Sequence, residues 1–177
     1  MLTTTCFQIS IFPTELGWFG LIGRENMLDS LSIGHLSRDQ VRRHFNRSQE
    51  MSRWDHAEQM DWNAELRQKL QRFARGEKIS FQGIRTISPS HTNFQKAILK
   101  TVKRIPYGKT LSYGEVAAKA GYPRAARAVG SVMASNRTPI IVPCHRVVAS
   151  GQKIGGFSTP QGILLKRRML ELENIQI

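Results

Sequence analysis

The chain has 177 residues, 40% of them hydrophobic and 22% charged, a composition typical of a folded globular protein rather than a disordered chain. No apolar run reaches the ~18 residues of a membrane-spanning helix, and the first residues lack the basic and apolar regions of a secretory signal. We therefore expect no membrane association. The formal net charge of +13 indicates a polyanionic partner instead.

The positive charge is concentrated in the second half of the chain. Residues 1–88 carry 12 Lys and Arg against 10 Asp and Glu, whereas residues 89–177 carry 14 against 3. This asymmetry predicts two domains: a small α/β domain with its linker over 1–88, and a basic domain over 89–177. Binding to nucleic acid explains the charge of the second domain, and a solvated basic face without a partner is the alternative.

Short β-rich runs and helical patterns in the first half predict a small sheet with helices. Residues 6–12 and 17–22 predict two strands joined by a hairpin turn at Pro13-Thr14-Glu15, and residues 27–33 predict a third strand. The remaining elements are predicted as helices over 37–45 and 62–75, a polar connection over 46–61, and an extended linker over 81–90 that contains Pro89 at the domain boundary.

The second half is predicted to be mainly helical. A helix over 92–103 comes first, and Ser112 with Glu115 then forms a capping box that opens a helix over 113–120. Pro123 suits the first turn of the next helix, predicted over 123–134. Two helices around a short glycine-containing turn are typical of a helix-turn-helix, although helical proteins that never bind DNA contain such corners too.

The second helix of this pair has few side chains that read bases. Its small residues are Ala125, Ala126, Ala128, Gly130 and Ser131, and its only long ones are Arg124 and Arg127. Small residues allow a backbone to approach DNA closely without reading the sequence, which favours docking in the minor groove with one arginine as a wedge. Close packing of the small residues against a neighbouring helix is the alternative.

The stretch IIVPCHRVV, residues 140–148, places Cys144 beside His145 within an apolar run. A nucleophilic cysteine needs a base, but neighbouring side chains diverge, so a water molecule between the thiol and the imidazole is expected. A lone cysteine in such a run is otherwise a small buried hydrophobic residue. The other cysteine, Cys6, lies far away in the sequence, so we expect no disulfide framework and a reducing compartment.

A base is usually oriented by a third group, and the second half of the chain has three carboxylates. Glu115 is explained by capping, and Glu171 lies on a charged strip of its helix. Glu173 lies on the apolar strip, where a buried carboxylate needs a partner such as His145, although a frayed chain end is the alternative. Asn136 is either a turn residue or a brace for the turn that presents Cys144.

The sequence around these residues resembles that of the O6-alkylguanine-DNA alkyltransferases, also called methylated-DNA–protein-cysteine methyltransferases. VPCHRVV at 142–148 resembles the active-site signature of that family, and three further segments occur in the order and spacing of the family. These segments are IPYGKTLSYGEVAAKAG, PRAARAVGSVMASN and GGFSTPQGILLKRRMLELE. The resemblance covers about residues 90–174, and FPTELGWFGLIG resembles the first domain of the family in outline only.

The resemblance implies a fold and an activity. The fold is an α/β N-terminal domain with a small β-sheet, followed by a mainly α, winged-helix-like C-terminal domain that contains the helix-turn-helix. The activity is direct-reversal DNA repair: the protein binds duplex DNA in the minor groove, flips O6-alkylguanine (or O4-alkylthymine) out of the stack and transfers the alkyl group to Cys144. The resemblance implies that each molecule acts once, as a monomer and without a cofactor. We expect a bacterial cytoplasm as the location, because the sequence shows no targeting segment.

The resemblance also implies roles for individual residues. Cys144 is the acceptor, His145 its base through water, Glu173 holds His145, Asn136 braces the turn, and Tyr113 assists rotation or protonation of the flipped nucleotide. Arg127 is the finger that replaces the flipped base. The other DNA-binding positions are Ser112, Arg124, Ala126, Ala128 and Gly130. The pocket is implied to be lined by Val147, Gly155, Gly156, Phe157 and Ser158.

The chain departs from some members of that family. Certain members hold zinc in the first domain, but no second cysteine lies near Cys6, so we expect no metal. Phe157 stands where some members have tyrosine. Three other protein classes remain as alternatives: an alkyltransferase-like binding protein, which lacks the acceptor cysteine, a helix-turn-helix regulator with a dispensable Cys144, and a cysteine hydrolase.

Overall fold

A computed structural model describes residues 6–47, 58–87 and 91–177 of the chain, which divides into two compact units over 1–87 and 88–177. Most of the polar connection predicted over 46–61, and the predicted boundary residue Pro89, lie outside the described residues. Within the described part of the chain, no helix is long and apolar enough to cross a membrane.

The first unit contains a four-stranded sheet in the order β3-β2-β1-β4. Its strands are β1 (Gln8–Thr14), β2 (Gly17–Arg24), β3 (Met27–His35) and the two-residue β4 (Glu58–Gln59). The first three strands are antiparallel neighbours, and β4 runs parallel to β1. The predicted hairpin and third strand are confirmed. Thr14 closes the hairpin turn because its hydroxyl donates to the carbonyl of Gly17 at 2.6 Å.

Two helices complete the description of the first unit, α1 (Arg38–Arg47) and α2 (Ala64–Ala74). The helix α1 packs closely on β2 at Gly20, where a Cβ atom would overlap Val41 and lie 2.6 Å from Cε2 of Phe45. The helix α2 begins at Asn63, whose side chain accepts from the amide of Leu66. Both helices were predicted, with ends that differ by one or two residues.

The second unit is mainly helical, as predicted. Its elements are α3 (Asn93–Lys103), β5 (Leu111–Ser112), α4 (Tyr113–Lys119), α5 (Ala126–Ala134), β6 (Val147–Val148) and α6 (Gly162–Leu172). Ser112 and Glu115 form the predicted capping box of α4, because each side chain bonds the backbone amide of the other residue. The core of this unit includes Ile98, Val116 and Val129, which are fully buried.

The prediction that the second helix of the pair starts at Pro123 is wrong. The helix α5 begins at Ala126, because Arg124 has a φ of +74°, which lies outside right-handed helical geometry. The turn between α4 and α5 therefore spans residues 120–125. Within this turn Tyr122 packs edge-on against Phe94, with ring centroids 4.9 Å apart.

The chain reaches Cys144 through a buried segment rather than a long strand. Residues 138–142 are all buried, and Ile140 has a φ of +73°. Pro143 precedes a single 3₁₀ turn, Cys144–Arg146, which leads directly into β6. The strand β6 pairs in parallel with β5, so Leu111 lies opposite Val147 and Ser112 opposite Val148. This pairing connects the cysteine turn to the start of α4.

Candidate active site

Cys144 lies at the wall of a pocket of about 150 Å³ in the second unit. The residue is 6% exposed, and its amide donates to the carbonyl of Val142 at 2.7 Å, which holds the 3₁₀ turn in place. Helices α4 and α5 and the segment after β6 supply the other walls. The lining residues besides Cys144 are Tyr113, Gly130, Met133, Ala134, Gly156, Phe157 and Ser158.

The thiol of Cys144 is protonated in the resting protein. Burial raises the pKa of Cys144, while a hydrogen bond with Asn136 and the charge of Lys166 act against that rise without reversing it. A buried neutral thiol is a weak nucleophile, so the site needs a base for any reaction at sulfur.

His145 and Glu173 form a buried pair beneath this turn. Nε2 of His145 lies 2.9 Å from Oε1 of Glu173, and both side chains are inaccessible to solvent. Burial lowers the pKa of His145, although Glu173 opposes the change, so the imidazole is neutral at neutral pH. Burial alone would raise the pKa of Glu173, but hydrogen bonds from His145 and Arg146 lower it to about 2.

Arg146, to which the sequence assigned no role, binds the same carboxylate. Its Nε and one terminal nitrogen donate to the two oxygens of Glu173 at 2.9 Å each, and its other terminal nitrogen donates to the carbonyl of Ile105 at 2.7 Å. The amide of Gly108 also donates to Glu173, at 3.1 Å. Glu173 therefore accepts hydrogen bonds from three residues, which fixes its position opposite His145.

Asn136 connects the end of α5 to the segment before the cysteine. Its amide nitrogen donates to the carbonyl of Val142 at 3.0 Å, and its oxygen accepts from the amide of Thr138 at 3.2 Å. The side chain also bonds Cys144 in a way that lowers the pKa of the thiol. Asn136 thus holds both the backbone and the sulfur of the turn.

Tyr113 is the first residue of α4 and lies in the pocket wall. A Cβ atom on Gly155 would lie 3.2 Å from Cε2 and 3.3 Å from the hydroxyl of Tyr113, so this segment approaches the ring closely at a residue whose φ of +70° also favours glycine. Burial, and next Cys144, raise the pKa of Tyr113. The phenol therefore stays protonated and is able to donate a proton or a hydrogen bond inside the pocket.

Lys166 is a site residue that was not predicted. Its side chain is 1% exposed, and its ammonium donates to the carbonyls of Val147 at 2.7 Å and Gly156 at 3.2 Å. Burial lowers its pKa to about 8. Lys166 therefore links β6 to the pocket segment 155–158. Its spacing of three and four residues from Met169 and Leu170 placed it on the apolar strip of α6, and this was the available signal.

The helix α5 presents one face to solvent and another to the pocket. Arg127 and Ala128 are exposed, Val129 is fully buried in the core, and Gly130 lines the pocket. Arg124 is exposed in the preceding turn, and the Ser112 hydroxyl caps α4. An exposed basic surface and the pocket thus lie within one turn of the same helix.

The structure brings most of the predicted site residues together. Cys144, His145, Glu173, Asn136 and Tyr113 form one connected cluster, and Gly156, Phe157 and Ser158 line the pocket. The side chain of Val147 is fully buried, and its carbonyl is bound by Lys166. Among residues 6–47, 58–87 and 91–177, no three His, Cys, Asp or Glu side chains meet in a group that could hold a metal ion.

Comparison with known proteins finds relatives that all belong to one family. Residues 93–175 match the family of the 6-O-methylguanine DNA methyltransferase, DNA binding domain. The methylated-DNA–protein-cysteine methyltransferase of Methanosarcina acetivorans is 42% identical over 111 residues, which is 62% of this chain and 67% of the relative. The protein of the same name from Methanosarcina mazei is 38% identical over 121 residues, 67% of this chain and 73% of the relative.

Solved structures resemble nearly the whole chain. The crystal structure of Mycobacterium tuberculosis O6-methylguanine methyltransferase has a TM-score of 0.76 and 32% sequence identity, covering 94% of this chain and 92% of the other. A crystal structure of M. tuberculosis OGT in complex with DNA has a TM-score of 0.75, with the same identity and coverage. The similarity therefore extends to the first unit, where the sequence resemblance is weak.

Proposed function

The chain belongs to the methylated-DNA–protein-cysteine methyltransferase family, and on that premise we propose that it repairs DNA by moving an alkyl group from O6 of guanine in duplex DNA to Sγ of Cys144. The observation that carries this proposal is the pocket with Cys144 at its wall and the buried His145–Glu173 pair beneath it. The proposed substrates are O6-alkylguanine and, with the same chemistry, O4-alkylthymine.

The first chemical step is removal of the thiol proton. Because Nε2 of His145 is held by Glu173, the proton passes to Nδ1, through water where the two side chains diverge. Glu173 then stabilises the imidazolium, as the carboxylate does in a catalytic triad. The neutral resting state of His145 supports this role, since only a neutral imidazole accepts a proton.

The second step is displacement at the alkyl carbon. The thiolate of Cys144 forms an S–C bond while the C–O6 bond breaks, and the electron pair of that bond remains on guanine. Tyr113, protonated and in the pocket wall, donates a proton or hydrogen bond toward the departing guanine. The guanine anion leaves with one proton in total, and the proton held by His145 supplies it, either directly through water or by reprotonating Tyr113, so that both side chains end neutral. The thioether is stable, so each molecule acts once.

The helix pair α4–α5 is the proposed DNA-binding element. Small exposed residues such as Ala128 let α5 enter the minor groove, and exposed Arg127 takes the place of the flipped nucleotide. Because Cys144 is only 6% exposed, inside the pocket that the same helix lines, a base has to leave the stack to reach the thiol. The +11 charge of residues 89–177 supports sequence-independent binding.

We assign binding and chemistry to residues 89–177 and propose that a single chain suffices. The second unit alone holds the acceptor, the base, the proton donor and the helix pair, so neither a cofactor nor a second subunit is needed for transfer. A cytoplasmic location is proposed from the two unpaired cysteines, which suit a reducing compartment.

Transfer of label tests the proposal directly. The protein is incubated with a duplex that carries O6-[³H]methylguanine, and the label on the protein is counted after the DNA is digested. We expect about one label per molecule with the wild type and none with Cys144→Ser, while Cys6→Ser serves as the matched control and is labelled like the wild type. Unlabelled wild-type protein would refute the proposed function, and labelled Cys144→Ser would refute the choice of acceptor.

A further inference from the structure

We propose that Arg146 is a positioning residue that keeps the base His145 neutral in the resting protein by balancing the charge of the buried Glu173 carboxylate. The inference rests on the proposed function in one respect, which is that His145 serves as the base for Cys144. Arg146 itself touches neither the pocket lining nor the sulfur in the described contacts, so its action passes through Glu173.

The geometry makes Arg146 the closest charge partner of Glu173. Two nitrogens of the guanidinium bond both carboxylate oxygens at 2.9 Å, the parallel arrangement that gives the strongest and best-oriented arginine–carboxylate contacts. The guanidinium is fixed from its other side by the carbonyl of Ile105 at 2.7 Å. Because the Arg146 side chain is 13% exposed and Glu173 is not exposed at all, water screens this pair weakly.

The summed charge of His145, Glu173 and Arg146 explains how Arg146 affects the base. With a neutral imidazole, the ionised Glu173 and Arg146 sum to zero, whereas an imidazolium adds an uncompensated positive charge to a buried site. A carboxylate alone beside a buried histidine would instead attract a proton to it. Arg146 thus compensates the carboxylate charge that would otherwise favour protonation of His145 from solvent.

The same balance permits proton transfer from Cys144. When the thiol gives its proton to His145, the new imidazolium and the new thiolate cancel, so the net charge of the site does not change. Alkyl transfer then consumes the thiolate charge, and the proton leaves His145 with the departing guanine, which returns the cluster to zero. The base is therefore ready for the thiol proton while it resists protonation from solvent.

Other charged or titratable groups that face His145 do not replace Arg146. Lys166, from α6, also lowers the pKa of His145, but its ammonium bonds the carbonyls of Val147 and Gly156 rather than Glu173. The phenols of Tyr107 and Tyr113 are uncharged at neutral pH, because burial raises the pKa of each. The thiol of Cys144 is neutral for the same reason.

Nuclear magnetic resonance of the histidine ring nitrogens tests the inference without any reaction. The His145 signals, assigned by their absence in His145→Gln, are followed against pH in the wild type, in Arg146→Gln and in Arg146→Lys, which keeps the charge. We expect the wild-type imidazole to stay neutral below its ordinary pKa of ~6.5. The pKa of His145 should rise by about one or more in Arg146→Gln and stay closer to the wild type in Arg146→Lys.

Two outcomes of this titration would overturn the inference. One is the same His145 pKa in the wild type and in Arg146→Gln. The other is a wild-type pKa at or above ~6.5, which requires no variant and therefore overturns the inference even when Arg146→Gln does not fold.

The rate of methyl transfer against pH supplies the functional measurement. Relative to the wild type, Arg146→Gln should lose progressively more rate as the pH falls through the His145 pKa measured for that variant, since protonated His145 cannot accept the thiol proton. An Arg146 that only anchors the turn to Ile105 predicts an equal loss at every pH, and that result would overturn the inference. If the wild type transfers no label, the proposed function fails, while the titration still decides the role of Arg146.

Discussion

Cys144, His145 and Arg146 are consecutive, yet one 3₁₀ turn points the first side chain away from the other two. The thiol lies at the pocket wall, while the imidazole and the guanidinium both meet Glu173. The carboxylate comes from the end of α6, 28 residues after His145. The sequence allowed Glu173 to be proposed as the partner of His145, since it was the acidic residue on an apolar strip. The contact of Arg146 had no such local signal.

Lys166 illustrates a residue whose burial follows from its place on a helix but whose hydrogen-bond partners depend on the fold. In the sequence it begins the basic run KRR, and two of these three side chains are exposed, which is the ordinary behaviour of such a run. Only the approach of β6 and the segment 155–158 surrounds the ammonium with carbonyls. No sequence pattern within α6 indicates those acceptors, so the sequence did not predict that Lys166 joins β6 to the pocket segment.

The buried ammonium of Lys166 predicts a pH-dependent difference in stability. Its pKa is lowered to about 8 in the folded protein, whereas the unfolded chain keeps its proton up to ~10.5. The unfolded state therefore binds more protons between these pH values, so the contribution of Lys166 to the free energy of unfolding rises with pH across that window. The size of this rise is on the order of 3 kcal/mol.

Urea unfolding of the wild type and of Lys166→Met, at a series of pH values from about 7 to 10.5, measures this contribution. The stability difference, wild type minus variant, should grow as the pH rises through about 8. The matched control is Lys153→Met, which replaces an exposed lysine and should follow the wild type in parallel. A difference that is constant across the pH range would contradict a buried, destabilised ammonium.

At the scale of elements, capping and turn chemistry decided which predictions succeeded. The capping box of α4 contains its own signal in Ser112 and Glu115, and the predicted helix formed there. The predicted start of α5 was wrong. Proline favours the first turn of a helix, but Arg124, directly after Pro123, adopts a left-handed conformation that the position of the proline does not reveal. The consequence is functional, since Arg124 lies in the turn and Arg127 alone projects from the helix near its start.

Replacing Arg127 should separate binding of duplex DNA from chemistry. Arg127 lies on the solvent face of α5, outside the pocket, so it should not affect a free substrate that needs no flipping. We expect Arg127→Ala to slow transfer from O6-methylguanine in a duplex by about 10- to 1000-fold, because the flipped state loses its filling side chain. The rate with free O6-benzylguanine should stay within about threefold of the wild type.

Lys103→Ala is the matched control for this experiment. It removes one exposed positive charge from the same unit, but from the last turn of α3 rather than from the helix pair. A similar loss with Lys103→Ala on the duplex would show that charge alone causes the effect. Equal losses by Arg127→Ala on the duplex and on the free base would show that Arg127 does not act as the finger.

At the scale of the whole molecule, the charge asymmetry matches the boundary between the two units. The excess of +11 over residues 89–177 belongs entirely to the unit that spans 88–177 and contains the helix pair and the pocket. Composition was therefore enough to indicate which half meets a polyanion. It said nothing about the pocket, because the pocket depends on where α4, α5 and the 3₁₀ turn meet in three dimensions.

Binding to undamaged DNA should consequently depend on salt and hardly on sequence. Lysine and arginine contacts to phosphate release counterions, so each contact adds about 0.9 to the slope of log affinity against log salt concentration. The exposed part of α5 offers Arg127 and small residues, but no asparagine or glutamine side chain, which are the usual readers of adenine. Fluorescence anisotropy with two duplexes of unrelated sequence, measured from about 50 to 200 mM salt, should give parallel steep slopes and affinities within about threefold of each other. A sequence preference above about a hundredfold would favour a transcription regulator instead, and an affinity independent of salt would contradict binding driven by the basic second unit.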